Sequence, residues 1–435
     1  MFFPMKMVAS HCLKLSVLLI LSAASFELAH AETLADAWAE TLDSDLLLKA
    51  SRSAQQAADA QLEAARAHRR PSVEITGGYT QIEAPPSLVT SFGGLNAAVP
   101  FLNREFSYLQ AGTTVPLYTS GRIDEGVAAA RSGREIAGHA LDVQQADIKL
   151  AVAEDYINVL RARRTQKVAN IYVRNLNEHL KVAENMYAQG LAARNAVLAA
   201  SVAAASAQET AIRAMTQVEL AQASYNRRLG RPLDAIVELE EPLIPMSEEP
   251  LGILVQRALA NRSELSLLDA QEQALRASGR AEIAALKPQI GLSTSYSYLQ
   301  NDYLMDEDFW SVSVQLRWKF FDGGTAKSLA SAAGLQADQV RYQRQDAASL
   351  IELEVRQAWL ELSATQKRIE VAQQAVVQAE ESLRITQNRF PEGLSTNADV
   401  LDAVSALADA SANLAMATYD AAIASLRLKR VAGDL

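Results

Sequence analysis

Two segments of the chain alternate between apolar and polar residues, as β-strands with one wet face do. From Trp310 to Phe320, apolar side chains occupy the even-numbered positions, and serine, glutamine, arginine and lysine occupy the odd-numbered ones. The segment from Leu109 to Leu117 alternates similarly, and Val73 to Gln81 and Ile290 to Tyr298 are rich in tyrosine and serine. The pattern predicts four strands, whose polar sides would face a watery lumen in a barrel or solvent in a globular sandwich.

Four strands are too few to close a membrane barrel. Closed transmembrane barrels have about 8 strands or more, and an open edge in lipid would leave backbone polar groups without partners. If these strands form a barrel, several copies of the chain must therefore share it.

Most of the remaining chain is predicted to be helical. Arg122 to Tyr187 contains no proline and would span roughly 100 Å as one helix. The segments from Leu34 to Arg69 and from Leu191 to Leu229 are each just over half as long, so two of them stacked end to end could lie beside the long helix. The helices alone would equally suit a coiled-coil or bundle protein.

The chain repeats itself once. Gly121, Gly190-Leu191 and Gly230 recur at an offset of 203 as Gly324, Gly393-Leu394 and Gly433. Upstream the offset becomes 217, so the first copy carries 14 extra residues, which we place in a loop around 83–104. The predicted boundaries are a first repeat at 32–230, a linker at 231–249 and a second repeat at 250–435.

The N-terminus has the features of a secretory signal. Lys6 and Lys14 precede an apolar run from Leu15 to Phe26, and Ala29-His30-Ala31 forms a cleavage motif, so a signal peptide at 1–31 is predicted. The only cysteine, Cys12, would leave with it, so no disulfide or N-terminal lipid is expected. No transmembrane helix is expected after cleavage.

Composition limits the function classes. The net charge of −10 becomes about −11 without the signal, which argues against nucleic-acid binding. Alanine supplies much of the apolar content while aromatic residues are only 6%, as in long packed helices. Without metal-ligand spacing, a phosphate-binding loop or a nucleophile motif, we expect no metal, no cofactor and no enzymatic activity.

Three motifs carry a family resemblance: 116–122 (PLYTSGR), 320–324 (FFDGG) and 393–403 (GLSTNADVLDA). Together with the duplicated unit they resemble the TolC-type outer-membrane efflux family over essentially the whole mature chain. The resemblance implies a mixed α/β membrane protein, a homotrimer in which 4 strands per chain form one 12-stranded outer-membrane β-barrel. A long periplasmic α-helical barrel, closed at its tip, would continue it in a Gram-negative cell.

The same resemblance implies function and partners. The chain would be a passive exit duct in outer-membrane lipid that docks, through Gly190-Leu191 and Gly393-Leu394, onto a periplasmic adaptor (membrane fusion) protein. An inner-membrane transporter of the RND, ABC or MFS type would supply the energy. Multidrug efflux and type I protein secretion both use such a duct, and a periplasmic helical scaffold or adhesin without a pore is the alternative. A small-solute uptake porin is disfavoured because it needs no long helical extension.

Two carboxylates after the second tip are the candidate constriction. Asp399 and Asp402 are three residues apart and therefore share a helix face; in a trimer they would form two stacked rings that attract cations and have raised pKa values. Helix capping is the alternative role. The first copy has Ala196 and Ala199 at these positions.

The predicted gate departs from the family pattern. A tyrosine and an arginine that hold the tip shut in the best-known members are Phe390 and Ser395 here, and Phe390 has no hydroxyl to donate. Arg194 and Asn195 on the first tip are possible substitutes. At the membrane, Trp310, Trp318 and Phe320 are candidates for a lipid-facing aromatic girdle, or for ordinary strand packing.

Overall fold

A computed structural model describes residues 31–241 and 249–435; the predicted signal segment, apart from Ala31, lies outside this range, as does part of the linker. Its first half contains α1 (Leu34–Ser44), α2 (Leu46–Ala67), β1 (Ser72–Gln81), β2 (Ser87–Phe92), β3 (Leu95–Pro100), β4 (Glu105–Tyr118), α3 (Arg122–Ala188) and α4 (Arg194–Leu229). Its second half contains α5 (Leu251–Asn261), α6 (Ser263–Ala285), β5 (Gln289–Leu299), β6 (Asp308–Arg317), α7 (Thr325–Arg389) and α8 (Asn397–Ala432).

The four predicted strands form one antiparallel sheet in the order β1-β4-β5-β6. Ser293 lies opposite Ser313, and their hydroxyl oxygens are 2.7 Å apart; Ser295 and Ser311 pair in the same way at 2.8 Å. Val314 pairs with Leu292 on the other side of the sheet. One face is therefore polar and the other apolar, as the alternation predicts.

The end of β6 differs from the prediction. β6 ends at Arg317, so Trp318 and Phe320 lie beyond the ladder. The Trp318 indole donates to Leu286 O at 3.1 Å, and Phe320 meets Trp318 edge-on at 6.3 Å between ring centroids. After the β6 hydrogen bonds end, the chain is therefore held by the contact between Trp318 and Leu286 at the end of α6.

The predicted loop at 83–104 contains a second antiparallel sheet, the β2–β3 hairpin. Gly93 and Gly94 form its two-residue turn with φ of 56° and 85°, which suits the type I′ geometry that needs positive φ at both central positions. Buried Asn301 holds the base of this hairpin, because its amide donates to Phe101 O and accepts from the Asn103 N–H.

The helices follow the prediction closely. α3 has 67 residues, which corresponds to roughly 100 Å, and α7 has 65 residues. The predicted 34–69 helix is divided at Asp45, whose extended backbone ends α1 and whose carboxylate accepts from the Leu48 N–H at the start of α2. α2 and α4 lie along α3, while α6 and α8 lie along α7.

Among the helices in residues 31–241 and 249–435, α8 alone is long and apolar enough to cross a membrane when judged only by length and composition. This composition differs from the expectation that no segment after the signal is apolar enough to span a bilayer. In the structure α8 packs against α7 and α3, and its alanines supply both the apolar composition and the small side chains for close helix packing.

The linker region holds the first described residues in place. Glu32 forms a parallel bridge with Leu239, its N–H donating to Glu238 O at 2.8 Å. The Tyr156 hydroxyl donates to Glu32 O at 2.6 Å, and the Glu32 carboxylate takes hydrogen bonds from Tyr225 and Arg231. Tyr156 and Tyr225 are fully buried at the centre of the largest core cluster.

Candidate functional site

The chain forms two helical hairpins, α3 with α4 and α7 with α8, and both end in the same kind of turn. Gly190 and Gly393 have φ of 73° and 72°, a left-handed conformation that favours glycine. The next residues, Leu191 and Leu394, donate their N–H groups back to Met186 O and Arg389 O. Both leucine side chains are 66% exposed, so each hairpin presents an apolar residue at its tip.

Asp399 caps the helix that follows the second turn. The Thr396 N–H donates to Asp399 Oδ2 at 2.7 Å, and the Asp399 N–H donates to Thr396 Oγ1 at 3.2 Å, so the two residues form a capping box. The hydrogen bonds from Thr396 hold the pKa of Asp399 below its usual range, the opposite of the raised value expected for a ring. Within one chain Asp399 has the capping role, while Asp402 is exposed further along the helix.

Phe390 lies in the interior of the tip. It is 6% exposed and packs with Leu176, Val400 and Val404. Its ring centroid is 5.0 Å from that of His179. A phenylalanine suits this position because the side chain contacts apolar neighbours of its own chain, where a hydroxyl would need a partner.

His179 is a buried tip residue that the sequence motifs do not indicate. Its Nε2 lies 2.8 Å from Asn397 Oδ1, so it joins α3 to the start of α8. Burial lowers the pKa of His179, although the hydrogen bond to Asn397 opposes this change. Helical spacing could have identified it, because Leu176, His179 and Ala183 follow at three and four residues and all three are buried.

The other predicted gate residues are separate from this core. Arg194 begins α4 and Asn195 follows it, both exposed, while Ser395 is half-buried in the second turn. Within the described parts of the chain, none of the three side chains makes a hydrogen bond or ion pair. Their polar groups are therefore free to meet another copy or a partner.

No described part of the chain covers the apolar face of the sheet. Trp310 is 73% exposed, and its ring lies tilted against that of Tyr296 with 5.3 Å between the ring centroids. Val312, Val314 and Leu316 beside it are also exposed. A contiguous apolar surface of this kind marks a lipid or protein contact.

An ion-pair network lies where the helices meet. Arg262 and Arg430 both donate to Glu264, at 2.8 and 2.9 Å, and they reach on to Glu354 and Asp147. Burial would raise the pKa of Glu264, but the hydrogen bonds from both arginines together lower it to about 2. The network therefore holds a half-buried carboxylate ionised between α3, α6, α7 and α8.

Metal binding finds no candidate in the residues that the structure describes. Residues 31–241 and 249–435 contain no cluster of three or more histidine, cysteine, aspartate or glutamate side chains placed to hold an ion.

Comparison with known proteins identifies relatives over most of the chain. The family model described as "Outer membrane efflux protein" matches residues 38–231 and again 254–434. The chain is 24% identical to outer membrane protein TolC of Vibrio cholerae over 427 residues, covering 93% of this chain and 91% of that protein. It is 25% identical over 300 residues to the alkaline protease secretion protein AprF of Pseudomonas aeruginosa, a match that spans 67% of this chain and 62% of that protein.

The fold has solved counterparts. The outer membrane protein VceC of Vibrio cholerae superposes with a TM-score of 0.78 at 21% identity, covering 92% of this chain and 96% of that chain. Proteins of this family are channels with a β-barrel and a helical barrel, located in the outer membrane and extending into the periplasm. The resemblance predicted from the three motifs is confirmed: the chain belongs to the outer membrane efflux protein family.

Proposed function

We propose that this chain is the outer-membrane exit duct of a tripartite efflux or type I secretion system, a passive channel gated at its periplasmic helical tip. The observation that carries the proposal is the sheet: four strands with a serine-lined face, an uncovered apolar face and two unpaired edges at β1 and β6. Such edges need pairing in lipid. Three copies would supply the twelve strands of one barrel, so a homotrimer accounts for edges and faces together.

The proposed architecture contains two tandem repeats, 32–230 and 250–435, joined by the linker 231–249. Each half runs helix, helix, two sheet strands, long helix, helix, the first half carrying the extra β2–β3 hairpin. The family model matches each half separately. In the assembled barrel Trp310 would contact lipid, while Trp318 and Phe320, which lie past the strand, would mark its periplasmic border.

The tip is the proposed docking and gating surface. Leu191 and Leu394 are exposed beside their turn glycines, and a periplasmic adaptor protein would cover them while an RND, ABC or MFS transporter supplies the energy. Asp399 and Asp402 would ring the pore and prefer cations. Arg194, Asn195 and Ser395 would make polar contacts across the closed tip, and Phe390 would support it from within.

Single-channel conductance of the purified mature protein in a planar bilayer tests the proposal. We expect small cation-selective current steps, and a loss of selectivity in the variant Asp399→Ala/Asp402→Ala. If the mutations leave the current steps and their selectivity unchanged, the proposed duct stands but the proposed carboxylate ring is excluded. If the protein stays soluble when membranes are removed and never inserts, a periplasmic scaffold or adhesin becomes the better description.

Co-purification addresses the partners. Crosslinking through a cysteine placed at Leu394 should capture the adaptor, whereas a cysteine at exposed Glu63, far along the helices from the turn, should not. Equal capture at both positions would argue against tip docking.

A further inference from the structure

A cavity of about 320 Å³ lies where the sheet meets the helices. It is lined by the end of α2, the start of β1, the end of β4, the start of α3 and the paired ends of β5 and β6. Gln315 shows which face it opens on, because this residue lines the cavity and its amide also donates to Ser293 Oγ, at 3.3 Å. The cavity therefore opens on the serine-lined polar face of the sheet.

Its lining is strongly basic. Three arginines and a histidine contribute to it, Arg70, Arg122, Arg317 and His68, and among the described residues that form the wall there is no aspartate or glutamate. Arg317 is the strand partner of Gln289, and Gln289 Oε1 accepts a hydrogen bond from Arg122 Nε at 3.1 Å. One neutral amide thus stands between two guanidinium groups.

The positive charge of this wall is not neutralised locally. Arg317 makes no hydrogen bond or ion pair with any side chain in residues 31–241 or 249–435, and Arg70 reaches only Glu63, at 3.9 Å with both groups more than half exposed. The nearby carboxylate of Asp124 is paired with Arg69, which is outside the wall. Glu74, two residues along β1 from Ser72, is also outside it.

We propose that this basic cavity, made by Arg70, Arg122 and Arg317, binds the phosphate or carboxylate group of a water-soluble anionic solute. Guanidinium groups match such oxyanions with paired N–H donors, and the N-terminus of α3 adds its partial positive charge. The proposal rests on the proposed function for its route: the solute would meet the cavity while passing along the polar face. Because the side chains are solvated, binding is weak and reversible, as conduction requires.

The position of the cavity selects a soluble solute over a lipid. A lipid phosphate at this height would have its acyl chains on the apolar face, where Val314 and Leu316 point, while the cavity opens on the opposite one. In a trimer three such cavities would encircle the duct near the junction of barrel and helices. They would act on anions, in contrast to the cation preference proposed for the tip carboxylates.

Calorimetric titration of the detergent-solubilised mature protein with pyrophosphate tests the cavity directly. We expect salt-sensitive binding that weakens about tenfold or more in Arg122→Gln/Arg317→Gln. Arg317→Gln alone should also weaken pyrophosphate binding. This variant removes no side-chain hydrogen bond in the described residues, so a structural disturbance is not expected. Lys319→Gln is the matched control, because it removes the same charge two residues further on and outside the wall, and it should bind as the wild type does.

Equal binding by wild type and the arginine variants, or equal weakening by Lys319→Gln, would overturn the proposal, as would no binding at all. Bilayer recordings separate this result from the proposed function. If the protein conducts but pyrophosphate blocks the current equally in wild type and Arg317→Gln, the proposed duct stands and the proposed anion site is excluded. Arginine-dependent binding of pyrophosphate by a protein that forms no channel would keep the site and remove the duct.

Discussion

His179 Nε2 lies 2.8 Å from Asn397 Oδ1, so that a buried imidazole on the first hairpin is joined to the opening turn of the last helix. The contact connects the two hairpins a short distance from both turns. Because Phe390 covers the same ring, any movement of one hairpin against the other at the tip must disturb these three residues together.

Acid should weaken this contact. The folded pKa of His179 lies below its ordinary value of 6.5 because of burial, so above pH 6.5 the imidazole is neutral in both folded and unfolded chains. As the pH falls below 6.5, the unfolded chain gains a proton that the folded chain resists, and stability is lost. The midpoint of thermal unfolding should therefore fall more between pH 7.5 and 5.5 in the wild type than in His179→Gln; equal shifts would exclude this contribution.

The capping box allows the charge of Asp399 to be separated from its structural role. Asp399→Asn keeps an oxygen that can accept from the Thr396 N–H but removes the charge, whereas Thr396→Ala weakens the cap and keeps the charge. If the carboxylate ring sets selectivity, the first variant should reduce cation over anion permeability about twofold or more and the second should not. The reverse result, measured as reversal potentials in a salt gradient, would assign Asp399 to capping alone.

The Glu264 network should make stability depend on pH in the acid range. The folded pKa of about 2 lies below the ordinary value of 4.5, so the stabilisation is fully present above pH 4.5 and is lost as the pH falls towards 2. Glu264→Gln should cost about 1–3 kcal/mol at pH 7, and its difference from the wild type should shrink below pH 4.5. Glu63→Gln, which loses an exposed pair with Arg66, should change stability by less than about 0.5 kcal/mol; equal losses in urea unfolding would contradict the assignment.

Glycine substitutions should have opposite signs at the turns and in the helices. Gly393→Ala places a side chain at φ 72°, which costs about 1–2 kcal/mol. Gly133→Ala lies within α3, where an added Cβ meets nothing within 4 Å, and should stabilise by about 0.5–1 kcal/mol. Thermal unfolding of the two variants gives the comparison, and destabilisation by both would show that Gly133 is needed for a contact between copies.

The sheet and the long helices could be predicted because their signals are local and repeated. The alternation around Val314 fixes which side chains share a face, and the absence of proline permits α3 over its whole length. β2 and β3 were missed because their strand pattern is irregular: Leu88 and Val89 are adjacent, so neither face is uniformly apolar. The alternation extends the predicted strand beyond Arg317 because Trp318 continues it. In the structure the Trp318 indole instead donates a hydrogen bond to Leu286 O.

The tip was harder to predict because its contacts join residues far apart in the chain. A capping role for Asp399 is open to sequence reasoning because an aspartate follows a turn there, but its partner Thr396 is identified by the structure. The burial of Phe390 depends on His179 and Val400, which only the folded hairpins bring together. The basic cavity depends on six elements meeting at one place, and Arg70, Arg122 and Arg317 are unremarkable as isolated residues.

The bridge that Glu32 makes in the linker region constrains the order in which an exported chain can fold. A chain that crosses the inner membrane N-terminus first delivers Glu32 long before Arg231, which is 199 positions later. The first segment must therefore wait in the periplasm without its partners, open to chaperones and proteases, until the linker arrives. Once Leu239 has emerged, Glu32 can form its bridge and its hydrogen bonds with Tyr225 and Arg231 while the second half is still crossing.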